Sequence, residues 1–409
     1  MKFVAAIVSM ALLGCALILA QNRSGKISNK KKPVLTRQNN GAATTPAASP
    51  AASHEVNAAV GKGAKWLASV QGADGGWGQD GGVTANNRQT EHLESNGNDV
   101  ANTAVAALAL LRAGNQYRPN VERAVDFILK RIEASPADGL SITNVNQAQN
   151  GQTQIQRKLS PNIDTFLASM LLAEVDGTFA GTNKARVRRG LEKCVAKIER
   201  NQSSDGSWNV GGGWAPVLGT SLASRSLFEA GKKGVKVDDK VMARADTYTV
   251  NNQKNRGTVA SGGGVGIGGG RGAVSSLGGV AETVVISAAA GVDLYQDAQA
   301  LEQLSRTPED RGKNKSEIAS INRKLSDTKF VEGFGSIGGE EFFSYLNISD
   351  SLKRTGGKEW SDWHAKISDK ILKLQNEDGT WAGHHCITGR VAVTSAAILN
   401  ITPNREPRS

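Results

Sequence analysis

The chain has 409 residues, of which 39% are hydrophobic and 21% charged, with a formal net charge of +11. Three cysteines in this length exclude a disulfide scaffold. The charge does not point to nucleic acid: Lys2, Arg23, Lys26, Lys30, Lys31, Lys32 and Arg37 carry seven of the positive charges, the remainder is only mildly basic, and aromatic residues make up 5%.

The first twenty residues read as a signal peptide or as an N-terminal membrane or lipid anchor. Phe3 to Ala20 holds no charged residue, a run just long enough to span a bilayer if it is retained. Leu12-Leu13-Gly14-Cys15 fits a lipoprotein-type cleavage box, with Cys15 as the lipidated residue. Cleavage after Ala20 is the alternative. Residues 21–55 form a basic, low-complexity linker rich in Ala, Ser, Thr and Pro, which cannot bury a core. Its basic cluster suits contact with anionic lipid heads or a plain solvated spacer. The expected localisation is export, to the cell envelope or beyond it.

From residue 56 to 409 one pattern organises the chain. Gln71-Gly-Ala-Asp74-Gly75-Gly-Trp77 returns as Gln202-Ser-Ser-Asp205-Gly206-Ser-Trp208 and as Gln375-Asn-Glu-Asp378-Gly379-Thr-Trp381. Self-similarity of this kind marks a repeat architecture. Each copy follows an amphipathic segment. Asp-Gly ends that helix, because glycine takes the positive-φ position a sharp turn needs. The glutamine amide can satisfy backbone groups left open at neighbouring helix ends, and the tryptophan supplies a large flat face. Weaker copies fill the gaps at Asp138-Gly139, Gln253-Lys-Asn-Arg256-Gly257 and Glu332-Gly333-Phe334. The count is six units, three clear and three eroded.

The helices alternate in kind. Val121, Ala124, Val125, Ile128, Leu129 and Ile132 form one apolar stripe, as do Val187, Leu191, Cys194, Val195 and Ile198, and Trp363, Ile367, Ile371 and Leu374. A single stripe marks an outer helix. Segments near 99–113, 162–175, 218–230, 280–295, 341–353 and 390–401 are apolar or small nearly all round, which marks inner helices. Such a pattern predicts an all-α, (α/α)6 toroid. Gly262 to Gly272 lacks a phosphate-loop lysine and reads as a loop before the fourth inner helix.

The repeated Q-x-x-D-G-x-W pattern resembles the QW repeat of the terpenoid cyclases, including squalene cyclases. Their relatives in fold are the protein prenyltransferase β subunits and complement-like thioester domains. The resemblance implies inner helices around a central cavity, backed by outer helices. It does not bring the known chemistry with it. The Asp-x-Asp-Asp acid of the class II cyclases is missing, since Val237-Asp238-Asp239 has no third aspartate. The prenyltransferase zinc pattern places an Asp two residues before the Cys; here His384 stands two before Cys386. No metal or cofactor is expected.

Candidate site residues are those expected at the N-terminal ends of the inner helices, where backbone N–H groups and the helix field favour anions. They are Asp99, Asp164, Thr220, Glu282, Glu341 and Arg390. For Asp99 and Asp164 a helix-capping role competes. Glu340 and Glu341 precede Phe342, Phe343 and Tyr345; neighbours on a helix point apart, so only one of the two should face the cavity. His384 and His385 are candidate general bases. Two readings divide here. One is a toroid that binds a hydrophobic or extended ligand, or a protein partner, at its cavity, with a possible membrane tether and no nucleic acid. The other is a divergent enzyme working with Asp164, Glu341, His384 or His385, with Asp99, Thr220, Glu282, Tyr345 and Arg390 as ligand contacts. A third, purely structural role would show as a cavity plugged by apolar side chains.

Overall fold

The structure is a computed structural model that describes residues 50–80, 97–145, 152–179, 181–208, 216–254, 293–333 and 338–403. The leader, Cys15, most of the linker, the glycine-rich run and Glu282 lie outside the described residues. No described helix is long and apolar enough to cross a membrane.

The described residues are helical, without a strand; Trp77 and Asp99 form an isolated bridge. In chain order the helices are α1 (Pro50–Ser69), α2 (Val100–Ala113), α3 (Arg118–Ala134), α4 (Gln154–Lys158), α5 (Ile163–Val175), α6 (Gly181–Arg200), α7 (Pro216–Lys232) and α8 (Asp239–Lys254). After them come α9 (Asp293–Leu304), α10 (Pro308–Lys313), α11 (Lys315–Lys324), α12 (Thr328–Val331), α13 (Gly339–Thr355), α14 (Gly357–Lys373) and α15 (Arg390–Ile401). Helix α1 begins at Pro50, inside the stretch whose composition reads as linker.

Helices α2, α5, α7, α9, α13 and α15 pack each against the next, and α15 packs back on α2. That closes an inner ring of six. Helices α1, α3, α6, α8, α11 and α14 lie behind it, completing an (α/α)6 toroid. The predicted outer stripes are buried, from Val121 through Ile132 on α3 and from Val187 through Ile198 on α6. Cys194 is one of these core positions, and burial pushes its thiol up to about 12. One inner helix departs from expectation. The fourth described member of the ring is Asp293–Leu304, not 280–295; residues 280–292 lie outside the described set. The sequence of α9 carries Gln296, Asp297, Gln299, Glu302 and Gln303, all buried, so its hydropathy conceals an inner helix.

The three clear repeats are clasps with one shared geometry. Gly75, Gly206 and Gly379 sit at φ of 90°, 94° and 87°. The Gln71 amide donates to Asn120 O at 3.0 Å, Gln202 to Val241 O at 2.9 Å, and Gln375 to Ala59 O at 2.9 Å. Each glutamine thus bonds the outer helix of the following unit, and the last reaches the first helix and closes the ring. The tryptophans work in the other direction. Trp77, Trp208 and Trp381 donate their indole N–H to Leu67, Ile198 and Ile371 on the outer helix just ended, at 2.7–2.8 Å. Asp74, Asp205 and Asp378 accept from the backbone N–H two residues on, at 2.9–3.0 Å. The glycines are required twice over. A Cβ on Gly206 would lie 2.2 Å from Arg244 O on the next outer helix, and one on Gly75 2.5 Å from Arg123 O. The eroded turns at Gly139 and Gly333 keep the positive φ, at 75° and 61°.

Candidate functional site

The inner helices gather their N-termini at one end of the ring and their C-termini at the other. Asp164, in the first turn of α5, accepts from Ala101 N in the first turn of α2 at 2.9 Å. At the opposite end Arg112 of α2 lies 3.6 Å from Asp350 of α13.

At the N-terminal rim the described connecting segments pack closely on one another. Gln154 accepts from Thr388 N at 2.9 Å and Gly389 N at 3.1 Å, while Gln154 N donates to Gln79 Oε1 at 2.6 Å. Leu159 O presses on Gly219, leaving no space for a side chain. A cavity of about 550 Å³ lies among the inner helices toward their C-terminal ends. Its walls come from Val105 and Leu108 of α2, Leu167 and Met170 of α5, Phe343 and Leu346 of α13, and Leu399 of α15. Arg112, Arg225, Asp350 and Arg354 stand among them.

Arg112, Arg225 and Asp350 are buried and Arg354 is half-buried; Glu174, Glu229, Lys232 and Lys233 line the same cavity. Arg225 pairs with Asp350 and donates to Asn347 Oδ1 at 3.1 Å. Arg354 donates to Glu302 O at 3.1 Å, and Arg306 to Glu302 Oε2 at 2.5 Å. Burial opposes ionisation of Asp350, but Arg225, Arg112 and Arg354 together hold its carboxyl below the usual carboxylate range. Burial and the nearby Arg225 push the Arg354 guanidinium the other way, down from its ordinary value, although Glu302 opposes this. Arg112 Nε and Nη1, Arg225 Nε and Arg354 Nε are buried without a hydrogen-bond partner among the described residues. Sequence reasoning missed all four cavity charges. The available signal was a lone charge inside an inner helix, as in Leu110-Leu111-Arg112 and Ser224-Arg225-Ser226.

The rim holds the carboxylates. Asp99 caps α2, accepting from Asn102 N at 2.9 Å, as the capping alternative anticipates. Asp164 caps the neighbouring helix rather than its own and accepts from Gln156 Nε2 at 2.5 Å. Burial, helped by the Asp164 charge, raises the Asp99 carboxyl to about 7, and burial raises Asp164 to about 6. A second cluster sits where α13 begins. Glu341 accepts from Tyr295 OH at 2.7 Å and Gly338 N at 2.8 Å, and lies 3.9 Å from His385 Nε2. Glu340 accepts from Ile387 N at 3.3 Å; burial raises its carboxyl to about 7, with Glu341 adding and Cys386 and His385 opposing. Both glutamates are fully buried, both approach His385, and neither lines the axial cavity.

His384 is exposed and stands apart from this cluster. His385 and Cys386 do not converge with it; they converge with Glu340, ligand atoms of the three lying within 4.8 Å of one another. Burial, with Glu340 adding, pushes the Cys386 thiol up to about 12. Thr220 accepts from Trp208 N at 3.2 Å within a clasp. Tyr345 donates to Val331 O at 2.6 Å. Arg390 pairs with Asp378 at 3.2 Å and stacks 5.2 Å from the Trp66 ring, away from the cavity.

Comparison with known proteins agrees with this architecture. Residues 44–139 match the family described as the squalene–hopene cyclase C-terminal domain. The squalene–hopene cyclase of Bradyrhizobium diazoefficiens is 38% identical over 68 residues, 17% of this chain and 10% of that protein. The match therefore spans about a tenth of that relative's length. The family match over residues 44–139 contains the first clasp, and the other two clasps repeat its geometry around the ring, so the chain is similar to terpenoid cyclases in this repeat.

Proposed function

We propose that this toroid binds an amphiphilic anion in the cavity at the C-terminal ends of its inner helices. The carrying observation is the set of buried guanidinium N–H groups on Arg112, Arg225 and Arg354 that make no hydrogen bond to a described residue, Arg112 Nη1 keeping only an ion pair with Asp350 Oδ1 at 3.6 Å. Each such unmade bond costs about 1–3 kcal/mol. A phosphate or carboxylate head supplies the acceptors, in the planar geometry arginine favours. Leu108, Leu167, Met170 and Phe343 offer an apolar wall for a tail. The volume falls within the roughly 300–1,000 Å³ of ordinary small-molecule sites.

Calorimetry with dodecyl phosphate, dodecanol and inorganic phosphate tests this. Dodecyl phosphate should bind most tightly, and Arg112→Gln should weaken it about tenfold, one charge-assisted hydrogen bond. Equal binding of dodecanol, or no change in Arg112→Gln, would defeat the reading.

The second reading is catalysis at the rim, favoured by the meeting of Glu340, Glu341, His385 and Tyr295 in one buried cluster. Cyclisation of a squalene-type polyene is the activity named for the relative, but the Asp-x-Asp-Asp acid is missing from this chain. Incubation with squalene and with prenyl diphosphates decides; turnover abolished by Glu341→Gln or His385→Ala would establish the enzyme. We also place the protein outside the cytoplasm, tethered to the cell envelope, on the uncharged Phe3–Ala20 run and the basic linker after it. A fusion to a reporter active only after export should be active, and a silent fusion removes this part of the proposal.

A further inference from the structure

We propose that Glu340, His385 and Cys386 form a zinc site with an open coordination position, independent of the axial cavity. The three ligand atoms lie within 4.8 Å of one another. They come from two elements, the first turn of α13 and the loop before α15, so their meeting is a product of the fold.

Three further observations point to an ion. Glu340 is fully buried, and its Oε1 has no hydrogen-bond partner among the described residues. A buried carboxylate oxygen left without a partner is costly, and a cation removes the cost. Cys386 has a φ of +56°, the one positive value among described residues other than glycine. Such backbone strain persists where surrounding structure imposes it, and it gathers at functional sites. The surroundings here do impose it. Gly339 N donates to Ile387 O at 3.0 Å, and Cβ atoms on Gly338 and Gly339 would lie 2.7 Å from the His385 ring and 2.6 Å from Ile387. The loop is thus clamped against α13 with His385 and Cys386 turned toward Glu340. Finally, Glu341 stands 3.9 Å from His385 Nε2, itself fixed by Gly338 N and Tyr295 OH. At that distance no hydrogen bond joins them, but a carboxylate stands beside the imidazole, as it does next to many metal-bound histidines.

One sulfur, one nitrogen and one oxygen suit Zn²⁺, whereas Mg²⁺ and Ca²⁺ take oxygen sets. Cys386 binds as the thiolate, its proton leaving to water. Three protein ligands leave the fourth tetrahedral position for water or an incoming atom, the arrangement of reactive rather than purely structural zinc. His385 is 24% exposed, so that position is reachable from outside.

The full chain, stripped with chelator, equilibrated with zinc and dialysed, should hold one zinc per molecule by elemental analysis. Cobalt in its place should give a thiolate-to-metal charge-transfer band. Cys386→Ser should abolish the band, and Cys386→Ser and Glu340→Gln should each weaken zinc binding about tenfold or more. His384→Ala, exposed and adjacent, should bind as the parent does. Because a buried substitution could unfold the chain, circular dichroism accompanies each variant. Zinc should also raise the melting temperature of the parent. A folded parent without stoichiometric metal, a cobalt spectrum without the thiolate band, or undiminished affinity in folded Cys386→Ser would overturn the site.

Discussion

The two ends of the inner ring carry opposite charge, and they handle it differently. At the N-terminal rim Asp99, Asp164 and Glu341 accept hydrogen bonds from backbone N–H groups. At the C-terminal end Arg112, Arg225 and Arg354 face the cavity, with Asp350 and Glu302 between them. Helix ends explain the sorting, since six parallel helices present positive N-termini together and negative C-termini together. They do not explain the difference in satisfaction. Asp99, Asp164 and Glu341 are built into loops and clasps, whereas the cavity arginines keep unused donors. Apart from the Glu340, His385 and Cys386 cluster, the N-terminal end reads as architecture and the C-terminal end as a place for something to bind.

The sharpest way to break this contrast is at Asp350. Its removal in Asp350→Ala leaves Arg112 and Arg225 buried without their counter-charge, and loss of one partner of a buried pair costs about 3–5 kcal/mol. Denaturant unfolding should show that loss. The same variant should bind dodecyl phosphate more tightly than the parent, because more guanidinium donors are open. A destabilised variant with unchanged anion affinity would mean that the arginines serve the fold alone.

The clasps allow a comparison within the rim. Gly206→Ala meets both a positive φ and a backbone oxygen 2.2 Å away, so about 3 kcal/mol of stability should go. Gly139→Ala, at an eroded turn with open space around it, meets only the φ penalty, about 1 kcal/mol. Equal losses would show that the intact clasps add nothing beyond their turn.

The ring was legible in the sequence because its parts are local. Stripes such as Val121–Ile132 and motifs such as Gln202–Trp208 declare a helix face or a turn within a dozen residues. The axial site was not, because it is built one residue at a time. Arg112, Arg225 and Asp350 are each a single charge in an inner helix, and only closure of the ring brings positions 125 or more apart in sequence into contact. Helix α9 was hidden for a related reason. Its buried Glu302 and Gln303 find partners in Arg306 and Asp246, and hydropathy records the polarity but not the partner. His385 and Cys386 drew notice as neighbours, but their third companion, Glu340, is 45 residues earlier, beyond the reach of spacing arguments.

The smallest effect discriminates the two ends by pH. Asp99 has a folded value of about 7 against an ordinary 3.8. Below pH 3.8 both states are protonated and the contribution is fully present. As pH rises through about 7 the folded chain must give up a proton from a buried group, and the contribution is lost. Asp164 acts in the same direction with its loss complete near pH 6, and Glu340 near 7. Asp99→Asn keeps the acceptor for Asn102 N and cannot ionise. It should therefore flatten the fall of melting temperature between about pH 4 and 7, gaining roughly 1–2 kcal/mol over the parent at the upper end. Asp350 has the reverse sign. Its carboxyl is held below the ordinary value, so its contribution is present at neutral pH and lost as pH falls through the folded value. The rim should therefore weaken the fold as pH rises, and the cavity as pH falls. Parallel curves for parent and Asp99→Asn would show that the helix ends alone hold the rim carboxylates ionised.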